Sequence, residues 1–286
     1  MNQSGHSLIL VDCAFCREKE HIRLHVIRGL NIVQCPQCGL IYTNPRMGWK
    51  YATSSDKFEA ELDTYRRYYW PARRRSAAKF WKGLEKYRQT GKLLDVGCSY
   101  GFFLDEARRQ GWQVVGMEPA QDQAAWARQH LELPVVDDLE SPELEPHSFD
   151  VLTIWDVIEH IEDPHSFLKR CHTLIRPGGA LLVKTPNADG LLRRSPWWLR
   201  PYLALYWQLV YPANPAQHLY HFTPQIIHRL LQETGFSVVM ADVNQDWSER
   251  PIVGRNMLVA AVRYPLMWLA WRLNLPYEVV VLAEPQ

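Results

Sequence analysis

From Lys92 onward, short apolar runs alternate with longer stretches in which apolar positions recur every three or four residues. Short apolar runs are typical of buried strands, and the longer period indicates amphipathic helices. Strands are predicted at 92–96, 112–117, 133–136, 149–155 and 179–185, and helices near 101–110, 120–130, 164–175 and 224–234. This alternation favours an α/β fold with a doubly wound, mostly parallel sheet.

Two further apolar runs, 237–243 and 257–262, are separated by a loop and not by a helix. They predict an antiparallel pair at one edge, which brings the sheet to seven strands. The resulting domain is 92–264, followed by a C-terminal extension at 265–286. The apolar tract 258–283 is broken by arginine and proline, so it lacks the roughly 18 uninterrupted apolar residues of a transmembrane helix. Its tryptophans leave open a surface helix on lipid or on a partner.

The first 45 residues carry four cysteines in two CxxC pairs, Cys13 with Cys16 and Cys35 with Cys38, separated by 18 residues. Two matched pairs indicate a tetrahedral Zn²⁺ site with four thiolate ligands more often than disulfides. The residues between the pairs, 21–33, predict a short hairpin. We therefore predict a zinc ribbon over 1–45 in which the metal is structural.

Residues 46–91 form a linker or lid rich in helix formers, arginine and aromatic side chains. Its amphipathic pattern favours a helix that packs Phe80, Trp81 and Leu84 on the sheet. Two other interpretations stay open. Tyr65 and the aromatic residues after it could stack on the bases of single-stranded nucleic acid, or they could cover a ligand pocket.

The 286-residue chain is 47% apolar and 22% charged, and its net charge is +1, as in an ordinary globular protein. Residues 57–92 hold eleven Lys or Arg against four acids, whereas residues 118–163 hold thirteen acids against one Arg. An acidic belt repels phosphates, which argues against nucleic acid as the main partner. The start of the chain lacks the pattern of a secretory signal, so we expect a cytoplasmic location.

A glycine-rich turn follows the first strand of the sheet. Asp95, Gly97, Ser99 and Gly101 read DxGxSxG, and Glu118 stands at the end of the next predicted strand. A glycine without a Cβ lets a ligand approach the backbone and the start of the following helix. An acid in the position of Glu118 can accept hydrogen bonds from both hydroxyls of a ribose. The pattern therefore predicts a nucleoside site.

The turn is similar to the DxGxGxG turn of class I S-adenosylmethionine (SAM) methyltransferases, which have a Rossmann-like fold. The resemblance implies a SAM site. Its residues are Asp95, Gly97, Cys98, Gly101 and Trp155 at the methionine part, Glu118 at the ribose, and Pro119, Asp138 and Leu139 at the adenine, with Asp137 as an alternative. Ser99 departs from the commoner glycine, at little cost if its φ is negative.

Four further motifs extend the resemblance over most of the chain: FDVLTIWDVIEHIEDP at 149–164, IRPGGALLVKTPN at 175–187, HLYHFTP at 218–224 and LLQETGF at 230–236. They resemble a bacterial family in which a zinc ribbon precedes a SAM methyltransferase domain. The resemblance implies methyl transfer to an oxygen, or a carbon, of a small molecule, sugar or lipid-linked acceptor. RNA methylation, with the ribbon and the basic aromatic helix binding the substrate, is the alternative.

Asp156, Glu159 and His160 follow the strand 149–155 with i, i+3 and i+4 spacing, which places the three side chains on one face of a helix or turn. Ubiquinone-pathway O-methyltransferases carry a similar acid-x-x-Glu-His cluster that can bind a divalent cation. Three interpretations stay open: a site for Mg²⁺ or a similar cation, a general-base role for His160, and a structural network.

Two more segments concern the substrate. His218 and His221 precede a helix predicted to begin with Thr223 as N-cap and Pro224 at its first position, and they either line the cleft or form a polar cluster at the cap. The insertion 188–217 is too aromatic for a plain loop. It predicts a pocket for an apolar or lipid-linked acceptor, contact of 191–213 with the inner membrane surface, a lid, or a dimer interface.

Overall fold

The computed structural model of the chain describes residues 8–27, 29–47, 58–189, 218–244, 272 and 278–286. The strands are β1 (Leu8–Ile9), β2 (Ile22–Ile27), β3 (Leu30–Gln34), β4 (Ile41–Thr43), β5 (Arg46–Met47), β6 (Lys92–Val96), β7 (Gln113–Met117), β8 (Val135–Val136), β9 (Phe149–Trp155), β10 (Ile175–Pro186), β11 (Tyr220–His221), β12 (Phe236–Asn244) and β13 (Glu278–Pro285). The helices are α1 (Phe58–Thr64), α2 (Trp70–Ala78), α3 (Trp81–Glu85), α4 (Phe102–Arg109), α5 (Gln121–Leu131), α6 (Pro164–Leu174) and α7 (Pro224–Glu233), with a π-helical segment at Tyr65–Tyr69 and a 3₁₀ turn at Ile158–His160.

A seven-stranded sheet in the order β12-β13-β10-β9-β6-β7-β8 forms the centre of the molecule. Pairing is parallel from β8 through β10, and β13 lies antiparallel between β10 and β12. Apolar residues of α3, α4 and α5 join one core cluster, and those of α6 and α7 join the other. The predicted doubly wound, mostly parallel sheet is confirmed, and the carboxyl ends of β6, β7, β9 and β10 meet at one edge.

One strand of the sheet lies outside the predicted set. It is β13, which pairs with β12 and belongs to the segment assigned to a C-terminal extension. The predicted strand 257–262 lies outside the described residues, so its pairing with 237–243 stays a prediction. The methyltransferase-like sheet therefore continues beyond residue 264.

The amino-terminal ribbon contains the predicted hairpin, since β2 and β3 pair antiparallel. β4 continues this sheet, and β11, which lies far along the chain, pairs antiparallel with β4. Ribbon residues such as Val33 and Tyr42 belong to the same apolar cluster as Leu219 and Phe222. The ribbon therefore shares its core with the larger domain.

The described part of the segment 46–91, which is rich in arginine and aromatic residues, packs against the sheet and against the glycine-rich turn 97–101 (the cofactor turn), as its amphipathic pattern predicted. Phe80 and Leu84 are buried, and the Trp81 ring stacks on Phe103 with centroids 5.2 Å apart. The Tyr65 ring stacks on Phe102, at the start of α4, with centroids 5.8 Å apart. These aromatic side chains thus cover the structure beneath them.

Candidate active site and metal centre

The turn after β6 needs glycine for packing as well as for ligand approach. Gly97 and Gly101 have φ of +76° and +74°, in the left-handed region. A Cβ on Gly97 would overlap Cγ2 of Val157, and a Cβ on Gly101 would lie 2.6 Å from Cδ1 of Leu133. Side chains on both glycines would therefore strain the backbone and displace buried neighbours.

Ser99 also lies in the left-handed region, with φ of +52°. The condition under which serine would cost little is therefore not met. In this conformation the backbone N–H of Ser99 donates to Oε2 of Glu118 at 2.8 Å. The strained residue thus helps to fix the carboxylate predicted to bind a ribose.

Glu118 is held on both of its oxygens. Oε1 accepts from the backbone N–H of Ala120 at 2.9 Å, while Oε2 accepts from Ser99. The residue is 6% exposed, and burial raises the pKa of its carboxyl group. Each oxygen has a second lone pair, so the carboxylate can still accept from a ribose.

Asp95 lies at the carboxyl-terminal end of β6, where it accepts a hydrogen bond from Oγ1 of Thr153 at 2.7 Å. It is 1% exposed, and burial raises its pKa to about 7, against the opposing effects of the Thr153 hydroxyl and the Arg73 charge. A buried carboxyl group that ionises near neutrality is well suited to pair with a cationic ligand group.

The residues predicted at the adenine differ in their surroundings. Leu139 is buried and Pro119 is partly buried beside Glu118. Asp138 is exposed and accepts from the backbone N–H of Glu140 at 2.7 Å. The alternative, Asp137, forms an ion pair with Arg128 at 2.5 Å. Asp137 is thus paired with a cation, whereas Asp138 is hydrogen-bonded only to the backbone among the contacts described.

Cys98 contributes packing through its side chain. Its Sγ would lie 2.6 Å from a Cβ on Gly116, so the thiol fills the space that this glycine leaves. The side chain is 2% exposed, and burial raises the pKa of the thiol well above its usual range. The backbone of Cys98 is also engaged, since its N–H donates to the carbonyl oxygen of Met117 at 3.0 Å and its carbonyl oxygen accepts from Gly101 N–H at 2.9 Å.

Asp156 follows β9 with φ of +56° and faces two cations. Its carboxylate accepts from Nζ of Lys184 at 3.1 Å and from Nη2 of Arg73 at 3.1 Å. Arg73 also donates to the carbonyl oxygen of Trp155 at 3.3 Å, and Lys184 forms a second ion pair with Glu278 at 2.9 Å. The carboxylate predicted to bind a metal is thus already neutralised by side chains.

Glu159, His160 and His218, which we name the histidine cluster, come together instead. The potential ligand atoms of the three residues lie within 4.8 Å of one another. The rings of His160 and His218 meet edge to face, with centroids 4.7 Å apart. The helix or turn predicted after β9 is a 3₁₀ turn preceded by the left-handed Asp156, and His218, rather than Asp156, contributes the third potential ligand atom, although the charge of Asp156 still acts on Glu159.

Glu159 is 1% exposed, and only one of its two carboxyl oxygens has a hydrogen-bond partner among the described residues. Oε2 accepts from Oγ1 of Thr185 at 2.9 Å, and Oε1 has no hydrogen-bond partner among the described residues. Burial, and secondarily the charge of Asp156, raise the pKa of Glu159 to about 8. Glu159 is therefore mostly protonated at neutral pH.

The donor chemistry of this region does not fit Mg²⁺. Mg²⁺ prefers carboxylate and water oxygens, whereas the histidine cluster offers two imidazoles and a single carboxyl group. The carboxylate of Asp156 is occupied by Lys184 and Arg73.

The two histidines of the HLYHFTP motif have different environments. His218 joins the histidine cluster, whereas the ring of His221 lies 3.4 Å from Oγ1 of Thr43 in the ribbon. Burial lowers the pKa of His221 to about 4, so this side chain is neutral. The predicted cap is confirmed, since Oγ1 of Thr223 accepts from Ile226 N–H at 3.3 Å and Pro224 begins α7.

The four ribbon cysteines form a compact cluster. Sγ of Cys13 lies 3.4 Å from that of Cys38, Sγ of Cys16 lies 3.4 Å from that of Cys35, and all four sulfurs lie within 4.8 Å of one another. Tetrahedral Zn²⁺ with bonds of about 2.3 Å places its sulfurs about 3.8 Å apart. The donor set and its spacing therefore fit Zn²⁺.

The two CxxC turns have the same backbone design. Arg17 N–H donates to Cys13 O at 2.9 Å, and Gly39 N–H donates to Cys35 O at 3.0 Å. Arg17 and Gly39, which follow the second cysteine of each pair, both have positive φ. Each turn thus curls its two sulfurs toward the same point.

Among the described residues, none of the helices is both long and apolar enough to cross a bilayer. The aromatic part of the insertion, 190–217, lies outside the described residues, and so does the segment 191–213 for which membrane contact is predicted.

Comparison with known proteins identifies the class of this chain. The profile of the family described as "Methyltransferase domain" matches residues 62–241, more than half of the sequence, and the chain belongs to that family. The matched region contains the cofactor turn, Glu118 and the histidine cluster.

Two curated relatives show which methyltransferases the chain resembles in sequence. The chain is 35% identical over 107 residues to the ubiquinone biosynthesis O-methyltransferase of Neisseria meningitidis serogroup C, which covers 34% of this chain and 45% of the relative. It is 35% identical over 105 residues to the enzyme of the same name from Pseudomonas aeruginosa, with the same coverage. The chain thus spans a little under half the length of these relatives.

One solved structure supports the fold alone. A protein of Galdieria sulphuraria, proposed to be a sarcosine dimethylglycine methyltransferase, superposes with a TM-score of 0.50 at 15% identity. The superposition covers 75% of this chain and 84% of that chain.

Proposed function

We propose that this protein is a SAM-dependent methyltransferase that methylates an oxygen, or a carbon, of a small-molecule acceptor. The observation that carries the proposal is the carboxylate of Glu118, which the backbone N–H groups of Ser99 and Ala120 hold beside the glycine turn. Asp95, buried on the other side of the turn, supplies a second acid for the cationic part of the cofactor.

SAM, when bound, supplies a methyl group already activated by the sulfonium. The protein must then hold the acceptor in line and remove its proton. His160 is the candidate base, because its imidazole ordinarily titrates near neutrality and it lies at the carboxyl ends of the strands. Glu159, mostly protonated, keeps its proton while His160 takes that of an acceptor hydroxyl.

The curated relatives favour a small-molecule acceptor, since ubiquinone biosynthesis O-methyltransferases are named for such chemistry. We propose more specifically that the acceptor is a sugar or is linked to a lipid, because the insertion 188–217 is rich in aromatic residues. RNA is less favoured, because the rings of Tyr65 and Trp70 stack on Phe102 of the protein itself and the belt 118–163 is acidic.

We propose further that the ribbon cysteines bind structural Zn²⁺. The support is the spacing of the four sulfurs and the repeated backbone turn around each CxxC pair. Burial raises the pKa of the Cys13 and Cys38 thiols, whereas at Cys35 hydrogen bonds from the backbone N–H of Cys38 and from Cys16 outweigh burial and lower it. Zn²⁺ would shift that balance toward thiolate and link metal binding to the fold.

Calorimetry with SAM and S-adenosylhomocysteine tests the cofactor assignment. Glu118→Ala should weaken binding by about 30- to 100-fold, since it removes charge-assisted hydrogen bonds. Glu143→Ala, which changes an exposed acid of the same belt, is the matched control and should bind normally. Failure of the wild type to bind either compound would end the proposal.

A screen with methyl-labelled SAM over quinones, sugars and lipids tests the acceptor. The membrane interpretation has its own test, co-sedimentation with anionic liposomes of the wild type and a variant lacking 191–213. Equal binding of the two proteins would remove that interpretation.

A further inference from the structure

The histidine cluster is connected to the zinc ribbon through residues 218–221. On one side, β11 pairs with β4 of the ribbon, with Tyr220 opposite Tyr42 and His221 opposite Ile41. On the other side, Leu219 N–H donates to the carbonyl oxygen of Glu159 at 2.9 Å. This segment is therefore bonded to the ribbon and to the histidine cluster at once.

Thr43 is the ribbon residue that fixes this segment. Its backbone N–H donates to the carbonyl oxygen of Leu219 at 3.0 Å, and its Oγ1 donates to the carbonyl oxygen of His218 at 2.9 Å. Thr43 is completely buried. The hydroxyl thus holds the main-chain carbonyl of His218 and with it the backbone from which the His218 ring extends.

His218 is in turn 9% exposed and meets His160 at a centroid distance of 4.7 Å with rings nearly perpendicular. A neighbour at this distance restricts the orientation of the His160 ring. The orientation of a base decides whether its nitrogen reaches the proton that it removes.

We infer that Thr43 is a positioning residue for the acceptor side of the active site, acting through His218 on His160. The inference rests on the proposed function, because it takes His160 as the base. It makes the ribbon a structural wall of the site in addition to a metal-binding module.

Thr43→Val tests the inference, since valine keeps the shape of threonine and removes only the hydroxyl. We expect kcat to fall by about ten- to a hundredfold, with unchanged affinity for S-adenosylhomocysteine. Thr43→Ser restores the hydroxyl and should recover most of kcat. Thr234→Val is the matched control, because that buried hydroxyl also donates to backbone carbonyls, those of Leu230 and Leu231, but lies at the end of α7.

A second readout does not need an acceptor. In ¹H–¹³C spectra of the S-adenosylhomocysteine complex, the ring signals of His160 and His218 should shift in Thr43→Val and return in Thr43→Ser. His160→Gln and His218→Gln assign these signals. Thr234→Val should leave both rings where they are in the wild type.

The two readouts separate the possible failures. Ring signals that stay unchanged in Thr43→Val overturn the inference, whatever the activity. A loss of kcat in Thr43→Val no larger than in Thr234→Val also overturns it. Shifted rings in a protein that methylates no acceptor would instead reject the proposed function and leave the contact from Thr43 to His218 established.

Discussion

The two halves of the candidate site are assembled in different ways. The cofactor half, Asp95 to Gly101 with Glu118, is built from one strand-turn-helix unit and the next strand, and backbone N–H groups hold its key carboxylate. The acceptor half, comprising Asp156, Lys184 and the histidine cluster, draws on segments far apart in the chain, with Thr43 and His218 separated by 175 residues. A local unit can keep its geometry when distant parts loosen, whereas the acceptor half depends on long-range packing.

The largest expected effect follows from removal of zinc. Chelation, or replacement of Cys35 and Cys38 by serine, should remove on the order of 10 kcal/mol of stability from the ribbon. Hydrogen exchange should then accelerate in 22–43 and 218–222 and stay slow in 92–118. Equal acceleration in both regions would contradict the separation of the two halves.

His160→Gln should lower kcat by about 10²- to 10³-fold, because a general base contributes that much to a proton transfer. Binding of S-adenosylhomocysteine should not change, since His160 belongs to the acceptor half. His130→Gln, an exposed histidine on α5, is the control for the loss of an imidazole. Steady-state kinetics and calorimetry measure the two effects, and a weakened cofactor affinity would break the comparison.

Asp95 should make the cofactor half sensitive to pH. Its folded pKa of about 7 lies above the ordinary 3.8, so ionisation costs stability in the ligand-free protein as pH rises from about 4 through 7. Asp95→Asn should therefore raise the stability of the ligand-free protein by about 2 kcal/mol at pH 8 and have little effect below pH 4.

The same ionisation should strengthen binding of the cationic cofactor. Calorimetry of the wild type should give a higher SAM affinity at pH 8 than at pH 6, by up to about tenfold. Asp95→Asn should bind weakly at both values, with a smaller pH dependence. Tighter SAM binding at pH 6 than at pH 8 would show that ionisation of Asp95 does not strengthen cofactor binding.

The smallest expected effect is that of Mg²⁺. Because Lys184 and Arg73 already neutralise Asp156, added millimolar Mg²⁺ should change neither kcat nor cofactor affinity measurably. Ca²⁺ at the same ionic strength is the control. A saturable increase in kcat with Mg²⁺ alone would revive the predicted cation site.

Sequence reasoning performed best where structure is local. The strands at 92–96 and 149–155 were placed at their observed bounds because buried parallel strands are continuous apolar runs. The cofactor turn could be located because glycines at fixed spacing have a direct conformational meaning. The sign of φ at Ser99 could not be predicted, since the partner of its N–H is a side chain 19 residues away.

Contacts between residues far apart in the sequence could not be predicted. Asp156 pairs with Arg73 and Lys184, which lie far from it in the sequence, and His218 joins Glu159 and His160 from another distant segment. The choice between His218 and His221 depends on the register of β11 against β4, which no local pattern contains. For the same reason the position of β13 between β10 and β12 could not be predicted.

The core shared between the ribbon and the larger domain has a consequence for protein engineering. A ribbon that was connected to the larger domain only through a linker could be replaced, as one continuous segment, by the ribbon of a relative. Here Tyr42 and Val33 are packed in one cluster with Leu219 and Phe222, and β11 completes the ribbon sheet. A functional chimaera must therefore transplant 218–222 together with the ribbon, so the smallest exchangeable unit of this protein is discontinuous in sequence.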